Sequence, residues 1–249
     1  MILIGDIGNT DTKICVINTK YKIIKRIIIP TNKINNSILY NKLIFYIRKK
    51  NLIRKCLFCS VVPNKFIAIK KFVKKNLKVN CIELKQLDLN KIIKIKVNRK
   101  QLGSDRLANS ISVMSLKNNY IILDFGTATT FDVIVKNNYV GGLIAPGLNI
   151  SLKTLINKAK LIPKLHFKKT KQIIGKNTVS AVRSGFFWGY IGLVNNIIYL
   201  IKKETRKNFK VIITGGFSNL FFRKLNTKAV ISRDITINGL IKIIKLYKF

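Results

Sequence analysis

The chain has 249 residues, and its 48 Lys and Arg against 9 Asp and Glu give a formal net charge of +39. Hydrophobic residues make up 48% of it, enough for a sizeable core, so wholesale disorder is excluded. With 4 Pro and 14 Gly it is neither collagen-like nor a Pro-rich linker, four unevenly spaced Cys make no disulfide scaffold, and the single His, His166, excludes a His-rich metal site.

Strands and helices alternate along the chain. ILIGDIG, from Ile2, reads as a buried strand running into a turn, with KICVIN as its hairpin partner. KIIKRIIIP is a third strand, and Ser37 to Lys50 has helical spacing. LFCSVVP is a β-rich run stopped by Pro63, and FIAIKKFVKKN is a basic amphipathic helix. Residues 101–117 read as helical. YIILDFG repeats the opening pattern and is followed by TTFDVIV and YVGGLIAPG, where Gly142 and Pro146 are expected to form turns. Thr178 is placed as the cap of a long helix. Within that helix, Ser184 to Ile201 carries no charge and approaches transmembrane length. Its Asn195-Asn196 pair and three glycines favour a core helix in which Gly185, Gly189 and Gly192 permit close packing. VIITGG is a late strand, and INGLIKIIKLY closes the chain as a helix. The start, MILIGDIGNT, has an acid at position 6 and no basic leader, so a cytoplasmic protein with no membrane anchor is expected. Cys56 and Cys59 lie in an apolar run with no second ligand pair at zinc spacing, which makes them buried thiols.

So basic a chain invites a nucleic-acid reading. Its lysines, however, are dispersed and not gathered into an arm or face, as compositional drift at neutral surface positions would leave them. On that view the surviving acids are enriched in residues the protein cannot lose. They are Asp6, Asp11, Glu83, Asp88, Asp105, Asp124, Asp132, Glu204 and Asp234.

One pattern occurs twice. Asp6-Ile7-Gly8-Asn9-Thr10 follows an apolar strand and precedes another, and Asp124-Phe125-Gly126-Thr127-Ala128-Thr129-Thr130 does the same 118 residues later. Glycine lets backbone N–H groups turn toward a ligand's oxygens, and Thr and Asn donate to phosphate. An Asp in such a loop repels phosphate directly, so it makes sense holding a cation between itself and the phosphates. Two such loops suggest a duplicated fold gripping a polyphosphate. Neither G-x-x-x-x-G-K-[ST] nor G-x-G-x-x-G occurs, which leaves an actin-like ATPase architecture as the route to a nucleotide.

The ordered set of motifs resembles the type III pantothenate kinases, in the superfamily of acetate and sugar kinases, Hsp70 and actin. The family's D-x-G-N-T-x-x-K is similar to Asp6-Gly8-Asn9-Thr10 with Lys13, its S-V-V-P to Ser60-Val61-Val62-Pro63, and its G-x-D-R to Gly103-Ser104-Asp105-Arg106. D-x-G-T-A-x-T-x-D runs from Asp124 to Asp132, G-G-x-I-x-P-G from Gly141 to Gly147, N-T-x-x-A-x-x-S-G from Asn177 to Gly185, and T-G-G is Thr214-Gly215-Gly216.

The resemblance implies an α/β fold of two ribonuclease H-like halves with mixed sheets, residues 1–112 and 113–249, and a cleft between them. It implies ATP-dependent phosphorylation of pantothenate, the first step of coenzyme A synthesis. Asp105 would be the general base, with Gly103, Ser104, Arg106 and Thr178 at the substrate. Asp6, Ile7, Gly8, Asn9, Thr10, Lys13, Thr127, Thr129, Gly215 and Gly216 would hold ATP. Asp6 would organise Mg²⁺, and Asp124 a monovalent cation, K⁺ or NH₄⁺. A homodimer is expected, with nucleic acid not a functional partner. The chain departs from the family in having Arg99 where a Pro is common, and no Tyr in the upstream stretch IIKIKVN. The alternative is a non-catalytic regulatory or nucleic-acid-binding relative of the same fold, though Asp6, Asp105 and Asp124 all remain.

Overall fold

A computed structural model describes residues 1–49 and 52–247. In chain order the elements are β1 (Ile2–Ile7), β2 (Asp11–Ile17), β3 (Ile23–Pro30), α1 (Asn36–Arg48), β4 (Lys55–Ser60), α2 (Pro63–Leu77), β5 (Cys81–Glu83), β6 (Lys94–Ile95) and α3 (Ser104–Val113), then β7 (Asn119–Phe125), β8 (Ala128–Val135), β9 (Asn138–Pro146), α4 (Leu148–Lys158), α5 (Thr178–Thr205), β10 (Lys210–Gly215), α6 (Ser218–Phe221), β11 (Ala229–Ile231) and α7 (Ile235–Leu246). The expected end of α1, Lys50, lies outside the described residues. The chain forms two compact units, Met1–Met114 with Asp234–Phe249, and Ser115–Arg233.

In the first unit a mixed sheet runs β3-β2-β1-β4-β5. β1 is antiparallel to β2 and parallel to β4, which is parallel to β5. One face is covered by α1 and α2 through Leu39, Leu43, Tyr46, Phe66, Ile69 and Phe72. α3 and α7 pack on each other, and at their crossing a Cβ on Gly239 would lie 2.0 Å from the Ala108 carbonyl oxygen. Having both faces covered explains why β4 is apolar almost throughout (Cys56 to Cys59 are all buried) and shows no alternation. Pro63 stands in the first turn of α2, where its missing N–H costs nothing. All four cysteines are buried free thiols.

In the second unit, its own strands run β11-β10-β7-β8-β9, with β7 parallel to β10 and antiparallel to β8. The long helix α5 is apolar and long enough to cross a membrane by length and composition, but it buries Phe187, Tyr190, Ile191, Val194, Ile198 and Ile201 in this unit's core. There Phe221 stacks on Phe125 with centroids 4.9 Å apart.

Three expectations are corrected here. The α5 cap is Asn177, not Thr178. The Asn177 side chain accepts the Ser180 N–H at 2.9 Å from an extended backbone, and Thr178 is the first helical residue. Gly185, Gly189 and Gly192 lie away from the buried stripe, and a Cβ on any of them would meet nothing within 4 Å, so they make no close packing inside the chain. Gly142 and Pro146 lie within β9, opposite Asp132 and Ala128, with Pro146 at the strand's last position where an absent N–H is tolerated. Between β9 and α5 the chain also forms α4, with Leu148 and Leu152 as its buried positions, too few to leave a periodic signal.

Candidate active site

The first Asp-Gly loop closes the hairpin of β1 and β2. The Gly8 N–H donates to the Asp11 carbonyl at 3.1 Å. Thr31, buried and not singled out by any motif, anchors the loop: its hydroxyl donates to the Gly8 carbonyl at 2.7 Å, and its N–H donates to the Thr10 carbonyl at 2.8 Å. Since its one proton is spent on Gly8, the 2.9 Å contact with the Thr12 hydroxyl is donated by Thr12. Asn9 and Thr10 are exposed at the tip, whereas the Ile7 side chain is wholly buried, leaving only its backbone to face a ligand.

Asp6 sits opposite Lys13 across the hairpin and opposite Cys59 of β4 on its other side. The Cys59 thiol donates to Asp6 Oδ1 at 3.5 Å. Burial, and then the charge of Asp105, push the Asp6 carboxyl up to about 6, against the pull of Lys13 and the thiol. A Cβ on Gly5 would lie 2.0 Å from the Phe58 ring, so that glycine admits the neighbouring strand's aromatic.

Asp105 is in the first turn of α3, after the cap Gly103. Its Oδ1 accepts the Arg106 N–H at 2.7 Å. A Cβ on Gly103 would fall 2.5 Å from that same oxygen, so the glycine makes room for the carboxylate itself. Burial raises the Asp105 carboxyl, opposed by the Arg106 N–H and the Arg106 charge. Ser104 is 1% exposed, with its hydroxyl engaged by the Ser60 backbone. Arg99 donates to the Lys85 carbonyl at 3.2 Å and to the Leu87 carbonyl, so it braces the turn after β5. The first unit thus gathers Asp6, Lys13 and Asp105 at the ends of β1 and α3.

The second loop closes the hairpin of β7 and β8, with the Gly126 N–H donating to the Ala128 carbonyl at 3.1 Å. Asp124 pairs with Thr130 on one side and Thr214 of β10 on the other. Gly215 has φ +88, and a Cβ there would lie 2.5 Å from the Phe125 carbonyl oxygen and 2.6 Å from Asp124 Oδ1. The Gly216 N–H donates to the Phe125 carbonyl at 3.1 Å, so the Thr214-Gly215-Gly216 turn wraps the Asp124 loop. A Cβ on Gly147 would lie 1.9 Å from the Thr127 carbonyl oxygen, which explains the last glycine of GGLIAPG. Thr127 is exposed at the tip. Thr129 is 1% exposed and lies near the Tyr190 hydroxyl, which itself donates to the Pro146 carbonyl at 2.6 Å. Asp132 is buried and accepts the Tyr139 hydroxyl at 2.7 Å, a structural bond. Thr178 is exposed at the start of α5, and His166 is exposed.

Two mixed α/β sheets, each opened by a hairpin that closes on an Asp-x-Gly loop, give the chain an actin-like fold. In keeping with this, the chain superposes with TM-score 0.64 on a proposed 2-dehydro-3-deoxygalactonokinase from Sinorhizobium meliloti, 10% identical over 100% of both chains. A proposed Baf-family transcriptional activator from Campylobacter jejuni superposes with TM-score 0.63 at 20% identity, over 99% of each. At those identities the likeness concerns the fold. Sequence narrows the class to a family. The profile of the type III pantothenate kinases matches residues 2–199. A type III pantothenate kinase of Pelagibacter ubique (strain HTCC1062) is 61% identical over 248 residues, 100% of both chains. The chain belongs to the type III pantothenate kinases.

Proposed function

We propose that this chain transfers the terminal phosphoryl group of ATP to the primary hydroxyl of pantothenate, in coenzyme A biosynthesis, with Asp105 as the general base. The observation that carries the assignment is the state of Asp105: a buried carboxylate with raised proton affinity, fixed through one oxygen by the Arg106 N–H. Raised affinity brings the base nearer the operating pH. Because the phosphoryl-transfer transition state is loose, the base does modest work and positioning does more. Asp105 accepts the proton of the attacking hydroxyl, and Arg106 offers a guanidinium fork to the substrate carboxylate. Gly103 and Thr178 complete the assigned substrate contacts. Ser104 is better read as structural, since its hydroxyl is already spent.

For ATP, the Gly8 and Asn9 backbone, Thr10 and Lys13 in the first loop and Thr127 in the second are the phosphate donors, and Gly215 and Gly216 border the adenosine. The buried Thr129 shapes the wall beneath its loop. Asp6, whose carboxyl shares its surroundings with Asp105, offers the hard oxygen donor that suits Mg²⁺ held mainly by phosphate and water. Mg²⁺ so bound would neutralise charge on the transferred group. Asp124, close against the Gly215 turn, is the assigned ligand for K⁺ or NH₄⁺. We also propose a cytoplasmic homodimer, in which the Gly185, Gly189 and Gly192 face of α5 meets the second copy; micromolar light scattering that gives a monomer would remove it.

The test is ADP release coupled to pantothenate and K⁺. Asp105→Asn is expected to lower kcat by about 100-fold or more. The wild-type rate should fall on acidification with an apparent pKa above the ordinary carboxylate range. Equal rates for wild type and Asp105→Asn would overturn the assignment.

A further inference from the structure

The helix turn that carries Asp105 is tied to the sheet through the Ser104 side chain. The Ser104 hydroxyl accepts the Ser60 N–H at 2.8 Å and donates to the Ser60 carbonyl at 2.8 Å. Both backbone groups of the last residue of β4 therefore close on one hydroxyl. Ser60 pairs with Ile7 of β1, one step beyond the Asp6–Cys59 pair. The clamp thus fixes the start of α3 against the strand pair that carries Asp6.

An acid stands behind the clamp. Glu83 ends β5, and its Oε2 accepts the Lys85 N–H at 2.6 Å, while Gln86 Oε1 accepts the Glu83 N–H at 3.1 Å. Its other oxygen, Oε1, is buried and makes no hydrogen bond of standard geometry among the described residues. The Ser104 hydroxyl lies beside this carboxyl but is directed at the Ser60 carbonyl. Burial raises the Glu83 carboxyl, and the Lys85 N–H and then the Ser104 hydroxyl draw it back. One hydroxyl proton thus has two acceptors beside it, and a hydroxyl has only one to give. Three of the nine acids, Asp6, Asp105 and Glu83, act on the one buried thiol of Cys59, which places Glu83 in the neighbourhood of the candidate base.

We infer that Ser104 and Glu83 are positioning residues for Asp105: Ser104 locks the first turn of α3 to the end of β4, and Glu83, opposite Phe58 on the neighbouring strand, backs that clamp. This rests on the reading of Asp105 as the base. It replaces a substrate contact at Ser104, whose 1% exposure and committed proton leave nothing to offer pantothenate. Misplacing a reacting group by a fraction of a bond length costs rate more than affinity.

The experiment is steady-state kinetics and thermal melting of Ser104→Ala and Glu83→Gln, each alone and with Asp105→Asn. Glu83→Gln keeps an oxygen for the Lys85 N–H, and so keeps the turn capped while removing the carboxylate. Ser104→Ala is expected to lower kcat about 10-fold and Glu83→Gln about 3-fold, with the pantothenate KM held within about twofold. Neither should lower the residual rate of Asp105→Asn further. A raised pantothenate KM at unchanged kcat in Ser104→Ala would make Ser104 a substrate contact and overturn the inference. A lower melting temperature with kcat intact in both variants would reduce the clamp to a fold element and overturn it too, as would losses that multiply with that of Asp105→Asn. If Asp105→Asn alone turns over like wild type, the base reading fails first, and that failure is visible without the Ser104 or Glu83 variants.

Discussion

The two Asp-Gly loops hold like places in their sheets and differ in company. Each closes an antiparallel hairpin with a glycine N–H bonded across the turn, Gly8 to Asp11 and Gly126 to Ala128, both at 3.1 Å. Asp6 then looks onto Lys13, Cys59 and the charge of Asp105, whereas Asp124 lies between Thr130 and Thr214 with its Oδ1 close against Gly215. A similar Asp-x-Gly turn has thus been set into two environments. One holds a carboxylate at elevated proton affinity next to a second acid, as the proposed Mg²⁺ ligand and general base. The other sets Asp124 between Thr130 and Thr214 with its Oδ1 against the Gly215 turn, where we propose that K⁺ or NH₄⁺ is held. Duplication supplies the turn; the neighbouring strand and helix supply the chemistry.

The sharpest break of that comparison exchanges the acids. Asp6→Asn is expected to lower turnover about 100-fold or more, because it removes the carboxylate proposed to hold Mg²⁺. Asp124→Asn should instead lose its response to K⁺. The two should also part in stability. The folded Asp6 carboxyl titrates at about 6 against 3.8 for the ordinary group. The fold therefore favours the protonated form, and that contribution is present in full below pH 3.8 and lost as pH rises through about 6. In metal-free, nucleotide-free protein, Asp6→Asn should gain on wild type by about 2 kcal/mol between pH 4 and pH 7.5. Urea unfolding at both pH values measures it. A gain that does not grow with pH would mean that Asp6 is not a strained buried acid.

The next separation lies in the glycines around the second loop. Gly215→Ala places a Cβ at φ +88 and within 2.6 Å of both Phe125 and Asp124, and is expected to cost about 2–3 kcal/mol. Gly126→Ala meets its nearest atoms at an ordinary 3.5 Å and should change stability by less than about 1 kcal/mol. Equal losses in denaturant unfolding would show that the Gly215 turn is free to relax, and the tight wrapping of Asp124 would not be what distinguishes this loop.

A smaller effect is expected at the anchor of the first loop. Thr31→Val removes the donor to the Gly8 carbonyl and strands the Thr12 hydroxyl, for about 1–2 kcal/mol. Because Gly8 is one of the proposed phosphate donors, the ATP KM should rise several-fold while the pantothenate KM holds. An unchanged ATP KM would detach the anchor from nucleotide binding.

These contrasts show what could be read in the sequence. The apolar runs of β1, β4, β7 and β10 and the repeated Asp-x-Gly turns announce their elements, because strand period and glycine geometry are local properties. The scarcity of acids singled out Asp6 and Asp105, which the fold brings into one neighbourhood. Thr31 was invisible, since its role depends on β3 returning beside the first loop, a contact between positions 8 and 31 that no spacing encodes. Glu83 was equally hidden, on a three-residue strand too short to show a period. Gly103 shows the subtler limit. A glycine before Asp-Arg suggests backbone approach to a ligand, yet here its missing Cβ leaves space for the Asp105 carboxylate, a reason found only once the turn is built. The cap of α5 fell one residue early, at Asn177, because Asn and Thr both cap well and only the Ser180 reciprocal bond decides between them.

The smallest effect concerns an acid with no part in the site. Arg26 of β3 holds Asp234 through a fork of two 2.8 Å bonds, Nη1 to Oδ1 and Nη2 to Oδ2. Asp234 stands at the start of α7 and makes no side-chain cap there, so its carboxylate is committed to the edge strand. The pair is planar and bidentate, the strongest geometry for such contacts. Its side chains are nevertheless 41% and 31% exposed, and water screens it. Arg26→Ala should therefore cost only about 0.5 kcal/mol, less at high salt. In a chain with so few acids it is tempting to give every survivor a function, as proposed for Asp6 and Asp105. A loss of ADP formation in Arg26→Ala, with stability unchanged, would mean that this acid too reaches the chemistry. Unchanged kinetics with a small, salt-sensitive loss of stability would place Asp234 among acids kept for folding, and would sharpen the inference that proximity to the first loop, not scarcity, marks a catalytic carboxylate.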